Sequence, residues 1–145
     1  MRKVAIGIPV YNGSNFVGAA IESILAQTYG DFDLFISDNA STDATEEICR
    51  AYAERDRRVH YVRQPRNLGA AGNHNALVGM GDSPYFKWAA HDDVVAPGFL
   101  AACVEALDRD PAIVLASPAS TLIGASGAVL PYSSERDGLI DEAGV

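Results

Sequence analysis

Two stretches of this chain place groups capable of chemistry at the ends of apolar runs. Leu34-Phe35-Ile36-Ser37 leads into Asp38 and then Asn39-Ala40-Ser41-Thr42-Asp43, while Tyr85-Phe86-Lys87-Trp88 leads through Ala89-Ala90 to His91-Asp92-Asp93. Open α/β sheets bind their ligands just beyond the carboxyl ends of their strands. Two acidic strand ends in one short chain therefore point to a diphosphate held through a divalent cation. Mg²⁺ and similar hard ions are commonly held by one or two carboxylates together with substrate phosphates and water. Such an ion neutralises the charge that builds on a leaving diphosphate.

Taken singly, each acid has a plainer reading. An Asp-Asp pair ahead of a helix usually supplies a cap and a solvated charge, and an Asp before Ser-Thr-Asp usually serves a turn. Their joint occurrence is what favours function for Asp38 and Asp92. His91 reads either as an orienting residue or as a further metal ligand. His60 and His74 have no partners at metal-ligand spacing and read as surface or structural residues, and Tyr85 and Trp88 as core. Cys49 and Cys103 lie far apart within helical patterns and read as reduced core cysteines.

These groups need a frame to position them. A chain of 145 residues with 48% hydrophobic content fits a single domain with its own core. Val4 to Val10 reads as a buried strand and Ser14 to Gln27 as a helix with Val17, Ile21, Ile24 and Leu25 on one face. Asp33 to Ser37 reads as a second strand, then a helix capped by Ser41 or Thr42 and running to about Arg55, with Ile48 and Tyr52 inward. Val59 to Arg63 is a third strand, followed by a turn-rich connection and a small-residue helix from about Ala70 to Met80. After the strand at Tyr85, a helix from Pro97 through Leu107 buries Leu100, Cys103, Val104 and Leu107. Ala112 to Ser117 reads as a fifth strand and Leu122 to Leu130 as a hairpin. Alternating strands and helices predict a mainly parallel α/β sheet.

The net charge of −8 argues against nucleic acid, whose backbone is bound by clustered Lys and Arg. A nucleotide stays possible, because a metal ion supplies positive charge locally. No apolar run approaches the roughly 20 residues that span a bilayer, and Met1-Arg2-Lys3 precedes only a strand-length run ending at Pro9. The expected location is cytoplasmic, at most membrane-associated.

Ile8-Pro9-Val10-Tyr11-Asn12, Ile21 through Tyr29, Ser37 through Asp43, Asn67-Leu68-Gly69 and His91-Asp92-Asp93 occur in the order found in family 2 glycosyltransferases. From about Val4 to Leu130 the chain resembles the nucleotide-sugar-binding half of that family. The resemblance implies a GT-A fold, Rossmann-like, with Pro9 and Tyr11 flanking the nucleotide base and Asp38 accepting a hydrogen bond from it. It further implies that Asn67, Gly69 and Asn75 shape the nucleotide pocket. Asp92 matches the last acid of the family's Asp-x-Asp motif and is the first choice as ligand for Mn²⁺ or Mg²⁺, with Asp93 and His91 beside it. Ala90 stands where the first acid of that motif is expected, Asn39 where a second Asp is common, and Asn15 near a position often held by Glu.

The implied activity is metal-dependent, inverting transfer of a sugar from a nucleoside diphosphate sugar, UDP being the first expectation, to a hydroxyl of a glycan or lipid-linked acceptor, as in polysaccharide biosynthesis. Inverting members use a carboxylate to deprotonate the acceptor, and no matching motif is found in this chain. Residues 1–130 therefore read as a nucleotide-sugar-binding domain, truncated before its acceptor region, with 131–145 as a polar tail and a homodimer left open. Two competing classes remain. One is a non-catalytic nucleotide-sugar-binding or assembly module. The other is a sugar nucleotidyltransferase, disfavoured because Tyr11-Asn12-Gly13-Ser14-Asn15 lacks the basic residue of a phosphate loop.

Overall fold

The structure, a computed structural model, describes residues 2–130, so the tail expected at 131–145 lies outside the described residues. Four strands, β1 (Val4–Val10), β2 (Phe32–Asp38), β3 (Val59–Arg63) and β4 (Tyr85–Trp88), alternate with four helices, α1 (Val17–Leu25), α2 (Thr45–Arg55), α3 (Gly69–Val78) and α4 (Phe99–Arg109). All pairings are parallel and the strand order is β3-β2-β1-β4. The expected α/β architecture is thus realised with a wholly parallel sheet.

Central β1 is buried along nearly its whole length, as a strand covered on both faces must be. Val4, Ile6, Ile8 and Val10 share one face with Phe32, Leu34 and Ile36 of β2. They pack against Val17, Ile21 and Ile24 of α1, Cys49 of α2, and Leu100 and Val104 of α4. Spacings of three and four residues put the apolar side chains of α1 and α4 on one stripe each. On the other face α3 lies close to β1: a Cβ on Gly7 would sit 3.1 Å from Leu77 Cβ and 3.2 Å from Phe86 Cζ. A side chain at position 7 would require Leu77 and Phe86 to give way by a few tenths of an ångström.

Several expectations are corrected. Ala112 to Ser117 forms no strand; Val114 is 92% and Leu115 79% exposed, and among the described residues nothing pairs with them. Apolar, β-branched sequence alone cannot make a strand without a hydrogen-bonding neighbour. The expected hairpin reduces to one antiparallel bridge, Ile123 to Val129, closed by Gly124 N–H to Ala128 O at 2.9 Å and Leu130 N–H to Leu122 O at 2.9 Å. Trp88, expected in the core, is 47% exposed at the free edge of the sheet, with Nε1 donating to His74 O at 3.3 Å. Cys49 is buried and Cys103 half-buried, both as free thiols. Burial pushes the Cys49 thiol up to about 12, which leaves it inert.

Candidate functional site

The carboxyl ends of all four strands lie on one edge, and the loops leaving them are stitched together there. In the loop after β1, Asn12 N–H donates to Ser41 Oγ at 2.9 Å, Gly13 N–H to Thr45 Oγ1 at 2.9 Å and Ser14 N–H to Asp43 Oδ2 at 3.1 Å, while Asn12 Oδ1 accepts from Thr42 N–H at 2.8 Å. Ser41 and Thr42 are therefore not helix caps, as their position before α2 suggested. They clamp the neighbouring loop, and Asp43 takes over at the helix start by accepting from Thr45 N–H at 3.0 Å. Loss of some solvation acts to raise the pKa of the exposed Asp43, but hydrogen bonds from Thr45 and Ser14 outweigh it and hold the carboxyl well below the usual range.

On the other flank the loop after β4 meets the same β1 loop. A Cβ built on Gly13 would lie 2.5 Å from His91 Cδ2 and 2.7 Å from Val10 Cγ2, so the imidazole occupies the space a side chain would need. Both acidic loops thus border Asn12-Gly13-Ser14. Strain is concentrated here as well. Asn12 and Ala40 adopt positive φ of 51° and 62°, the two such non-glycine residues among those described.

Asp38 ends β2 and has no exposed surface. Its Oδ1 accepts Ser41 N–H at 2.8 Å; its Oδ2 accepts Tyr61 O–H at 2.7 Å and an Arg63 Nη1–H at 2.8 Å. Burial alone would raise its pKa, yet the hydrogen bonds from Ser41 and Tyr61 and the Arg63 charge together hold it below the ordinary value. It is an ionised, enclosed anchor rather than an open wall of a cleft.

Asn39, buried next to it, ties the third loop down. Its Oδ1 accepts Leu68 N–H at 2.7 Å, and its Nδ2 donates to Asn67 Oδ1 at 3.0 Å and Gly69 O at 3.3 Å. Asn67 Oδ1 also accepts Gly69 N–H at 2.8 Å, and Gly69 takes φ of 75° at the start of α3. Pro9 is half-buried, Tyr11 is 46% exposed beside the loop, and Asn75 is exposed on α3.

Asp92 and Asp93 are both exposed, and among the described residues neither side chain takes a hydrogen bond or ion pair. They are adjacent hard-oxygen donors with free lone pairs, a set that suits Mn²⁺ or Mg²⁺ when phosphate oxygens complete the shell. No three His, Cys, Asp or Glu side chains among the described residues converge into a ready metal cage. The outgoing segment is held by Gln27 at the end of α1, which donates to Ala96 O at 2.7 Å and accepts Leu100 N–H at 2.9 Å. Below it, burial lowers the Lys87 pKa against the opposing charge of Asp93. A groove of about 470 Å³ beside Tyr29, Val104 and Asp108 lies at the opposite end of the sheet, away from these acids.

The sequence profile of Glycosyl transferase family 2 matches residues 5–132, most of the chain. The chain belongs to that family. Its relatives include an uncharacterised glycosyltransferase of Rickettsia typhi, 37% identical over 94 residues that cover 65% of this chain and 28% of that protein. Another is the glycosyltransferase GlyG of Streptococcus pneumoniae, 32% identical over 92 residues covering 63% of this chain and 31% of that one. The chain thus spans about a third or less of these relatives' length.

Two solved structures share the fold. S. aureus TarS 1-349 in complex with UDP superposes with a TM-score of 0.69 at 20% identity, over 74% of this chain and 32% of that one. The mannosyltransferase PcManGT of Pyrobaculum calidifontis, in complex with GDP-Man and Mn²⁺, gives 0.69 at 24% identity, over 76% and 33%. With these neighbours the GT-A fold expected for this family 2 chain is established.

Sequence reasoning missed several residues that build this family 2 site. Tyr61 and Arg63 lie two and four residues after buried Val59, so strand alternation puts them on the same face as it, and Arg63 is in register with Asp38. Asn73 rather than Asn75 is the buried asparagine of α3: its Oδ1 accepts Ser37 O–H at 2.6 Å and its Nδ2 donates to Ser37 O at 2.9 Å. The spacing from Asn73 to Leu77, one helical turn, was the available signal.

Proposed function

We propose that this chain is the donor-binding part of a metal-dependent, inverting glycosyltransferase that transfers a sugar from a nucleoside diphosphate sugar to an acceptor hydroxyl. The observation that carries the reading is the junction of three loops at one sheet edge, with the enclosed, ionised Asp38 on one side of Gly13 and the exposed, unpaired Asp92 and Asp93 on the other. The base end lies toward Pro9, Tyr11, Asp38 and the Asn67-Leu68-Gly69 turn, with Asn75 further along α3. The diphosphate end lies toward Asp92 and Asp93, which would hold Mn²⁺ or Mg²⁺, with His91 spacing that loop from Gly13 or adding a ligand. The ion supplies charge neutralisation to the departing diphosphate. UDP, UDP-GlcNAc and GDP-Man in the structural relatives support a nucleotide-sugar donor.

The alternative is a binding-only reading. The carboxylates at this edge are either committed to hydrogen bonds, as Asp38 and Asp43 are, or assigned to the metal, which leaves none among the described residues to deprotonate an acceptor. Among the described residues no helix is long and apolar enough to cross a membrane. A thermal-shift panel of UDP, GDP and dTDP with Mn²⁺ tests the donor reading, since a ligand selective for the native state must raise the unfolding temperature. Stabilisation by at least one of them is expected, and absence of any shift would refute it. Release of UDP or GDP from UDP-GlcNAc or GDP-mannose would exclude the binding-only alternative.

A further inference from the structure

Asp38 has no surface through which to meet a ligand, whereas the residue it grips does. Arg63 keeps about a third of its side chain exposed, at 33%, against 0% for Asp38. Its guanidinium is held from three sides. Nη1 donates to Asp38 Oδ2 at 2.8 Å and lies 3.1 Å from Glu46 Oε2, and Nη2 donates to Ser41 O at 2.8 Å. The ring closes through Arg50, which pairs with Glu46 at 2.8 Å and stacks over Tyr61 at 4.9 Å, and through Tyr61 O–H on Asp38 at 2.7 Å.

A guanidinium has five N–H donors; Asp38 and Ser41 take one hydrogen bond each, and Glu46 completes the grip as an ion pair. The remaining donors, on the exposed part of the planar group, are therefore preordered at the carboxyl end of β3, in register with Asp38. An Arg fork so fixed suits a partner with acceptor oxygens. Because the unpaired acids that would hold the metal and diphosphate lie across Gly13, the acceptor that fits on this side is a carbonyl of the nucleotide base, as uracil and guanine carry.

We propose that Arg63 is the contact with the base carbonyl, and that Asp38, together with Tyr61 and Glu46, is a positioning residue that acts on the nucleotide through Arg63. This rests on the donor reading above and changes what Asp38 does within it. Lys at position 63 keeps the ion pair with Asp38 but loses the planar fork.

The test is calorimetric titration of the full chain with UDP, GDP and inorganic pyrophosphate, each with Mn²⁺, for wild type, Arg63→Lys, Asp38→Asn and the double variant, after circular dichroism confirms folding. For Arg63→Lys, UDP and GDP should bind about tenfold more weakly, the scale of a lost hydrogen bond from a charged donor, with pyrophosphate changed less than about twofold. Asp38→Asn should weaken UDP and GDP in the wild-type background and add less than about twofold once Arg63 is replaced. Unchanged UDP and GDP affinity in Arg63→Lys would overturn the proposal, as would an undiminished Asp38→Asn effect in the double variant. If Asp38→Asn does not fold, Arg63→Lys alone decides. Failure of wild type to bind UDP or GDP would remove the donor reading and this proposal with it. Weakening by Asp92→Asn alongside an unaffected Arg63→Lys would leave the donor reading standing and sink only the role of Arg63.

Discussion

His91 lies against Gly13 so closely that a β-carbon on the glycine would sit 2.5 Å from the imidazole Cδ2. This contact joins the loop after β4 to the loop after β1, and the latter is hydrogen-bonded to the segment after β2. Gly13→Ala should therefore push the His91-Asp92-Asp93 loop outward, at a cost of about 1–3 kcal/mol typical of overpacking. Urea unfolding reads the stability loss. Nucleotide affinity with Mn²⁺ should fall by more than affinity in EDTA, and equal losses in the two conditions would contradict the role given to this contact.

Asn39 uses its amide in both directions, accepting from Leu68 N–H and donating to Asn67 Oδ1 and Gly69 O. A carboxylate there can accept but not donate, and it would face two oxygens. Asn39→Asp is expected to destabilise by about 1–3 kcal/mol at pH 7, the usual penalty for buried polar groups left unpaired. The deficit should shrink as pH falls toward the carboxyl's pKa and a donor proton returns. Denaturant titration at two pH values measures both effects.

Ala40 holds φ of 62° immediately after the buried end of β2. A left-handed conformation costs a non-glycine residue roughly 1–2 kcal/mol, partly offset by the greater unfolded-state entropy of glycine. Ala40→Gly should thus stabilise the chain by about 0.5–1 kcal/mol, and a drop in the urea midpoint would contradict it.

The acid limb of stability follows from carboxyls held low in the folded state. Hydrogen bonding and charge from Arg58 bring Asp56 to about 2, and Asp38 is also lowered, against an ordinary value of about 3.9. Between these values the unfolded chain binds more protons than the folded one, so their stabilisation is full above about pH 4 and is lost as pH falls toward 2. With screening at a partly exposed pair, Asp56→Asn should cost about 1 kcal/mol at pH 7. Wild type and variant should converge near pH 2, as urea titrations at the two pH values will show.

Much of the frame was legible from local pattern. Strand ends at Val10, Arg63 and the Tyr85 strand, the buried stripe Val17, Ile21 and Ile24, and the order of the acidic loops all followed from periodicity and turn chemistry. What escaped depended on partners distant in sequence. Whether Ser41 caps a helix or clamps Asn12, whether Asp38 opens to solvent or lies beneath Arg63, and whether 112–117 pairs as a strand are decided by neighbours that local sequence does not name. Arg63 and Asn73 could have been found from strand alternation and helical spacing. Trp88 could not, because its exposure reflects β4 being an edge strand.

The account stands on a metal-bridged nucleoside diphosphate held by Asp92 and Asp93 beside the Gly13 loop. Its most direct test is the affinity of UDP and GDP measured by calorimetry in Mn²⁺ and in EDTA, for wild type and for Asp92→Asn with Asp93→Asn. These exposed, unpaired side chains should change folding stability by no more than about 0.5 kcal/mol. The prediction is binding in Mn²⁺ that weakens at least about tenfold in EDTA and in the double variant. Equal affinity with and without metal, or a double variant that binds as wild type does, would contradict it.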